Sequence, residues 1–159
     1  MLAQMGEVTM YLLQAACSPR LLSVNSGTPR QYRYPSLAIP AGSRLAAMID
    51  SYADHEVPAK LERALRIIES NVRLGRKTLV WSNFPDNLLD LELMLAALNP
   101  ALVYGAILSS DDAEPGVRTR ERELDRFRND PDCWVLIANP AAMSEAVSYT
   151  HLRAHETRH

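Results

Sequence analysis

Between Pro58 and Ala146, stretches with helical spacing of apolar residues alternate with short apolar runs. Leu61, Ala64, Leu65, Ile68 and Val72 recur at steps of three and four, which predicts an amphipathic helix stopped at Gly75 with Arg73 and Arg76 beside it. The run Lys77–Asn83 (KTLVWSN) is β-prone and predicts a strand buried on both faces. Pro85 and Asp86 open a second helix, Asn87–Leu98, so rich in leucine that burial on more than one side is expected. Asn99-Pro100 stops it, Leu102–Tyr104 predicts a second strand, and Gly105 to Gly116 a polar, acidic loop. Arg118–Arg128 then reads as a charged helix turning Leu124 and Phe127 inward, and Trp134–Ala138 as a third strand. The order α-β-α-β-α-β predicts an α/β fold, a parallel sheet covered by helices and joined by right-handed crossovers.

The flanks read differently. Residues 1–57 carry two expected helices, Val8–Ala16 and Arg44–Ala53, separated by a stretch that Pro19, Pro29, Pro35 and Pro40 break up. This part is expected to be a connecting arm that does not fold alone. At the other end, residues 147–159 (VSYTHLRAHETRH) resemble the translation of a transposon-type sequencing-library adapter read through in one frame. His151, His155 and His159 would otherwise suggest a metal site on one helix face. They are set aside with the tail as an artefact, so the natural frame is expected to have been cut near Ala146.

Composition narrows the function. The 159 residues suit a single core, and 17 basic against 19 acidic side chains give a net charge of −2, so any basic site must be local. Cys17 and Cys133 are too few for a disulfide framework or a cysteine-rich zinc module, and both read as small buried residues. No apolar run approaches the roughly 18 residues of a membrane span, and the first residues lack the basic start of a signal peptide. A cytoplasmic location without membrane partners is expected.

Open parallel sheets bind ligands at the carboxyl ends of their strands, here Ser82-Asn83, Gly105 and Asn139-Pro140. Small polar side chains there suit a phosphate or a nucleic-acid backbone, and also serve as turn and cap residues. Gly75-Arg-Lys-Thr looks like the end of a phosphate-binding loop, yet it precedes a strand where such a loop follows one, and it reads as a helix stop. Asp111, Asp112 and Glu114 read as a solvated loop rather than a cation site, so no metal is expected. Ser18, Ser82, Ser109 and Ser144 have only His55 outside the tail to work with, so no Ser-His-acid triad and no catalytic residue are assigned. Trp81 and Trp134 read as core aromatics rather than base-stacking platforms.

The run KLERALRIIESNVRLGRKTLVWSNF, the leucine-rich DNLLDLELMLAAL, and RERELDRFRNDPDCWVLIANP followed by AAMSEAVS resemble the second RecA-like lobe of superfamily-two helicases of the Swi/Snf type. The likeness spans residues 58–148, and YLLQAACSPRLL resembles the helical connection between the two lobes of that family. It implies an incomplete RecA-like lobe over 58–146, with KTLVWSNF as motif IV and AAMSEAVS as motif V. On that basis Ser82 and Asn83 would face the nucleic-acid backbone, and Asn139, Ser144 and Glu145 would belong to the loop coupling DNA to the nucleotide. Arg118 would begin the helix after the motif IV loop. Ser144 and Ala146 stand where the family has glycines, which puts a tight backbone approach in question.

The same resemblance implies ATP and Mg²⁺ in the parent protein but none held by this chain, because the first lobe and the arginine motif beyond the cut lie outside it. The expectation is part of an ATP-dependent DNA helicase or translocase, inactive alone and partnered by DNA and the missing first lobe. The alternative is a free-standing α/β module binding a nucleotide or a regulator, which shares only topology with helicases. An arginine motif encoded downstream would separate the two.

Overall fold

The computed structural model describes residues 2–23, 37–105 and 116–144. The acidic loop residues Asp111, Asp112 and Glu114, Ser109, Pro29, Pro35, Glu145 and the histidine tail lie outside the described residues. Among the described residues six α-helices and three strands follow, the expected elements and one helix more at the end: α1 (Leu2–Cys17), α2 (Arg44–Asp50), α3 (Ala59–Arg73), β1 (Thr78–Trp81), α4 (Pro85–Met94), β2 (Ala101–Val103), α5 (Arg120–Asn129), β3 (Val135–Ala138) and α6 (Pro140–Ser144). The helix expected over Arg44–Ala53 ends at Asp50, and a 3-10 turn over Tyr52–Asp54 follows it.

Residues from α3 onward form an α/β unit on a three-stranded parallel sheet of order β1-β3-β2. The last strand in sequence therefore fills the centre, which explains its complete burial as VLIA. Alternation along the strands sends Val80, Leu102, Val135 and Ile137 to one face, where Leu61 and Ile68 of α3 and Leu88, Leu91 and Leu95 of the α4 segment cover them. Ala101, Val103, Leu136 and Ala138 point the other way, under Leu124 of α5 and Ala142 and Met143 of α6. The step from β1 to β2 thus runs over one face and the return from β2 to β3 over the opposite face. Two crossovers in opposite directions on opposite faces share one hand, as the rule for parallel connections requires.

Two sequence expectations need correction. β1 is an edge strand, and its residues are half-buried or exposed, with Trp81 41% exposed. Trp81 is therefore not a core aromatic, whereas Trp134 packs against the core on the face covered by α3 and α4. On α4 the apolar excess does not bury every side, since Leu93 is 78% exposed and Met94 also faces outward. Leu88, Leu91 and Leu95, at three- and four-residue steps, carry the packing instead.

Gly75 behaves as the helix stop its position suggests. Its φ is +67°, its N–H donates to Val72 O at 2.9 Å, and Arg76 N–H reaches back to Asn71 O at 2.9 Å. That pair of bonds closes a Schellman turn on the last carbonyls of α3. Among the described residues, the Arg20 guanidinium of the first part pairs with Asp90 on α4, and Lys60 Nζ of α3 lies 3.5 Å from Cys17 Sγ. Among the described residues no helix is long and apolar enough to cross a membrane.

Candidate functional site at the carboxyl edge of the sheet

The three carboxyl ends meet at the central strand. Ser82 N–H donates to Ala138 O at 3.1 Å, Asn139 N–H donates to Val103 O at 2.9 Å, and Asn139 Nδ2 donates to Ser82 O at 3.1 Å. Asn139 Oδ1 also accepts from Ala141 N–H at 3.0 Å, so one side chain both ties β1 to β3 and starts α6. Helix α4 leaves β1 over one face, while α6 leaves β3 over the other. The gap between β1 and β3 is therefore a point where successive connections diverge, the place where open α/β sheets form a ligand crevice.

Three of the residues singled out from the sequence, Ser82, Asn83 and Asn139, lie at this edge. Ser82 Oγ accepts from Phe84 N–H at 3.1 Å and lies 3.2 Å from Phe84 O, so its hydroxyl shapes the turn into α4. Asn83 sits in the bend between them with its side chain exposed. Ser144 ends α6, four residues past Pro140. No titratable side chain comes from Ser82, Asn83 or Asn139, so the chemistry available there is hydrogen bonding, not proton transfer.

Arg118 is not part of this crevice. It precedes α5 instead of beginning it, because Thr119 is the N-cap, its Oγ1 accepting from Arg122 N–H at 3.3 Å. The guanidinium donates to Glu92 Oε1 at 2.7 Å and to Glu123 Oε2 at 2.9 Å. Burial alone would lower its pKa, but the two carboxylates outweigh that and hold it above the ordinary arginine value. Glu123 in turn accepts from Leu102 N–H at 2.7 Å, which places Arg118 beyond the outer edge of β2, away from the β1–β3 gap.

Sequence reasoning missed Arg120. It is 8% exposed, its Nε is buried without an acceptor, and no described carboxylate pairs with it. A signal was present: Arg120, Leu124 and Phe127 lie at i, i+4 and i+7, one helix face, and the last two pack on the sheet. The Oδ1 of Asn87, in the first turn of α4, is likewise buried without a partner. In the first part of the chain, a cavity of about 340 Å³ is lined by Leu22, Ser23, Leu37, Ile39, Ala46 and Asp50.

Gly75 closes a helix rather than a phosphate-binding loop, and among the described residues no group of three His, Cys, Asp or Glu could hold a cation. No family model, no curated protein and no solved structure matches the chain.

Proposed function

We propose that the chain is part of an ATP-dependent DNA helicase or translocase, an incomplete second RecA-like lobe that contributes contacts to the nucleic-acid backbone. The observation that carries the reading is the convergence of Ser82, Asn83 and Asn139 on one diverging crevice at the carboxyl edge of a parallel sheet. Asn83 is the exposed donor of the three, and an amide N–H₂ suits a phosphate oxygen irrespective of base sequence. Asn139 and Ser82 hold the two strand ends in register around it. Nucleotide chemistry belongs to the partner lobe, and no step of it is assigned to these residues.

A chain with a net charge of −2 should bind DNA weakly, in the range of about 10⁻⁴–10⁻⁶ M usual for non-specific contacts. The test is a titration of the ¹⁵N-labelled chain with a short DNA duplex at low salt. Amide signals at Ser82, Asn83 and Asn139 should move together, revert with added salt, and respond less in an Asn83→Ala variant. Absence of any response at that edge would remove the motor reading and leave the small α/β binding module as the better account.

A further inference from the structure

We propose that Arg120 anchors a site for a phosphoryl oxyanion at the start of α5. Among the described residues, Glu123 is answered by Arg118 and Arg126, and Asp90 by Arg20. Arg120 is also more than nine-tenths buried, but its Nε is sealed without an acceptor and it has no ion-pair partner among the described residues. An unpaired buried charge is costly to hold, and one way to offset that cost is to bring in a counter-ion.

Its place in the fold points to the kind of ion. Helix α5 runs antiparallel to β2, since Glu123 bonds Leu102 while Arg126, one turn on, reaches Asn99 and Pro100 at the start of that strand. Arg120, one turn the other way, therefore stands toward the carboxyl end of the sheet. It is the first residue of a ten-residue helix, where backbone N–H groups lack intrahelical acceptors and the helix dipole favours negative charge. A guanidinium beside a helix N-terminus matches the geometry of a phosphoryl group, whose several oxygens can accept from both at once.

The proposal stands on this burial and placement and does not rest on the motor reading. It is tested by following the arginine Nε–H signals of the ¹⁵N-labelled 159-residue chain, with Arg120 identified by the signal missing in Arg120→Lys. The chain is titrated at constant ionic strength with inorganic phosphate, with pyrophosphate, with a short DNA duplex and with acetate. A saturable shift of the Arg120 signal with phosphate or pyrophosphate assigns a small phosphorylated ligand; a shift with DNA alone assigns the nucleic-acid backbone. Arg120→Met should raise Tm in anion-free buffer and lose the phosphate-dependent rise shown by the wild type. If that variant fails to fold, the wild-type titration decides. The proposal falls if no probe moves the signal, if acetate moves it equally, or if neutralising the loop (D111N/D112N/E114Q) moves it while phosphate does not. Ser82, Asn83 and Asn139 report on the motor reading in the same sample, so the two ideas fail separately.

Discussion

Glu123 closes the open edge of the sheet by accepting a hydrogen bond from the backbone of Leu102, 2.7 Å from its Oε2. Leu102 belongs to β2, an edge strand, and its outward N–H would otherwise invite pairing with another chain. The same carboxylate takes hydrogen bonds from Arg118 at 2.9 Å and Arg126 at 2.8 Å, and its side chain is 3% exposed. Arg118 extends the network to Glu92 on α4, so the helices on opposite faces are joined around the rim of β2.

Glu123→Gln should therefore reduce stability at pH 7 by about 2 kcal/mol, since it leaves two arginines facing a neutral group at a buried position. The pH dependence has a definite sign. Burial would push the Glu123 carboxyl up, but bonds from Arg118 and Leu102 N–H, with the charges of Arg118 and Arg126, hold it below the ordinary value. A depressed folded-state pKa gives stability that is complete above the unfolded carboxylate value of about 4.3 and is lost as pH falls through the folded one. Urea unfolding at pH 7 and at about pH 3 should show the wild-type advantage shrinking in acid. An unchanged difference at both pH values would contradict the assignment.

At Gly75 the conformational requirement can be isolated. A Cβ added there meets nothing within 4 Å, so the price of a side chain lies in the backbone alone, at φ +67°. Gly75→Ala should destabilise by about 1 kcal/mol and Gly75→Asn by less, because asparagine tolerates the left-handed region. Equal losses for the two in thermal unfolding would mean that the turn is not the cause.

The element order was legible because helical and strand periods follow from local spacing, and the carboxyl-edge candidates Ser82, Asn83 and Asn139 followed from that order. Strand neighbours were not. Nothing local places β3 between β1 and β2, so β1 was expected to be covered on both faces although it is an edge, with Trp81 half in solvent. Leu93 and Leu91 look equivalent in a leucine-rich run, and only the direction of the sheet separates the exposed from the buried. The pairing of Arg118 with Glu92 spans 26 positions and leaves no trace in spacing. Arg120 differs, for its helical register with Leu124 and Phe127 was visible and was masked by the charged residues around it.

The two cysteines should separate by reactivity. Cys133 is fully buried, and that burial pushes its thiol up despite the nearby charges of Arg126 and Lys77. Cys17, expected from the sequence to be buried as well, is instead partly accessible at the end of α1. With an aromatic disulfide reagent at pH 8, one thiol should react quickly and the second only on unfolding. Two fast thiols in the folded protein would show that the β3 layer opens readily.

Asn139 offers the sharpest test of how the crevice is held. Its Nδ2 bridges to Ser82 O and its Oδ1 caps Ala141 N–H, so Asn139→Ala removes both and should lose about 1–2 kcal/mol. Asn139→Asp keeps an acceptor for the start of α6 but sets a carboxylate oxygen against the Ser82 carbonyl, which repels where the amide attracted. The two variants should therefore agree at β1 and differ at α6. Amide exchange at Ser82, whose N–H bonds Ala138 O at 3.1 Å, should accelerate in both, while exchange at Ala141 should accelerate only in the alanine variant. Were Ser82 to keep its protection in both, the strand ends would be held by the sheet alone, and Asn139 would serve α6 rather than the crevice.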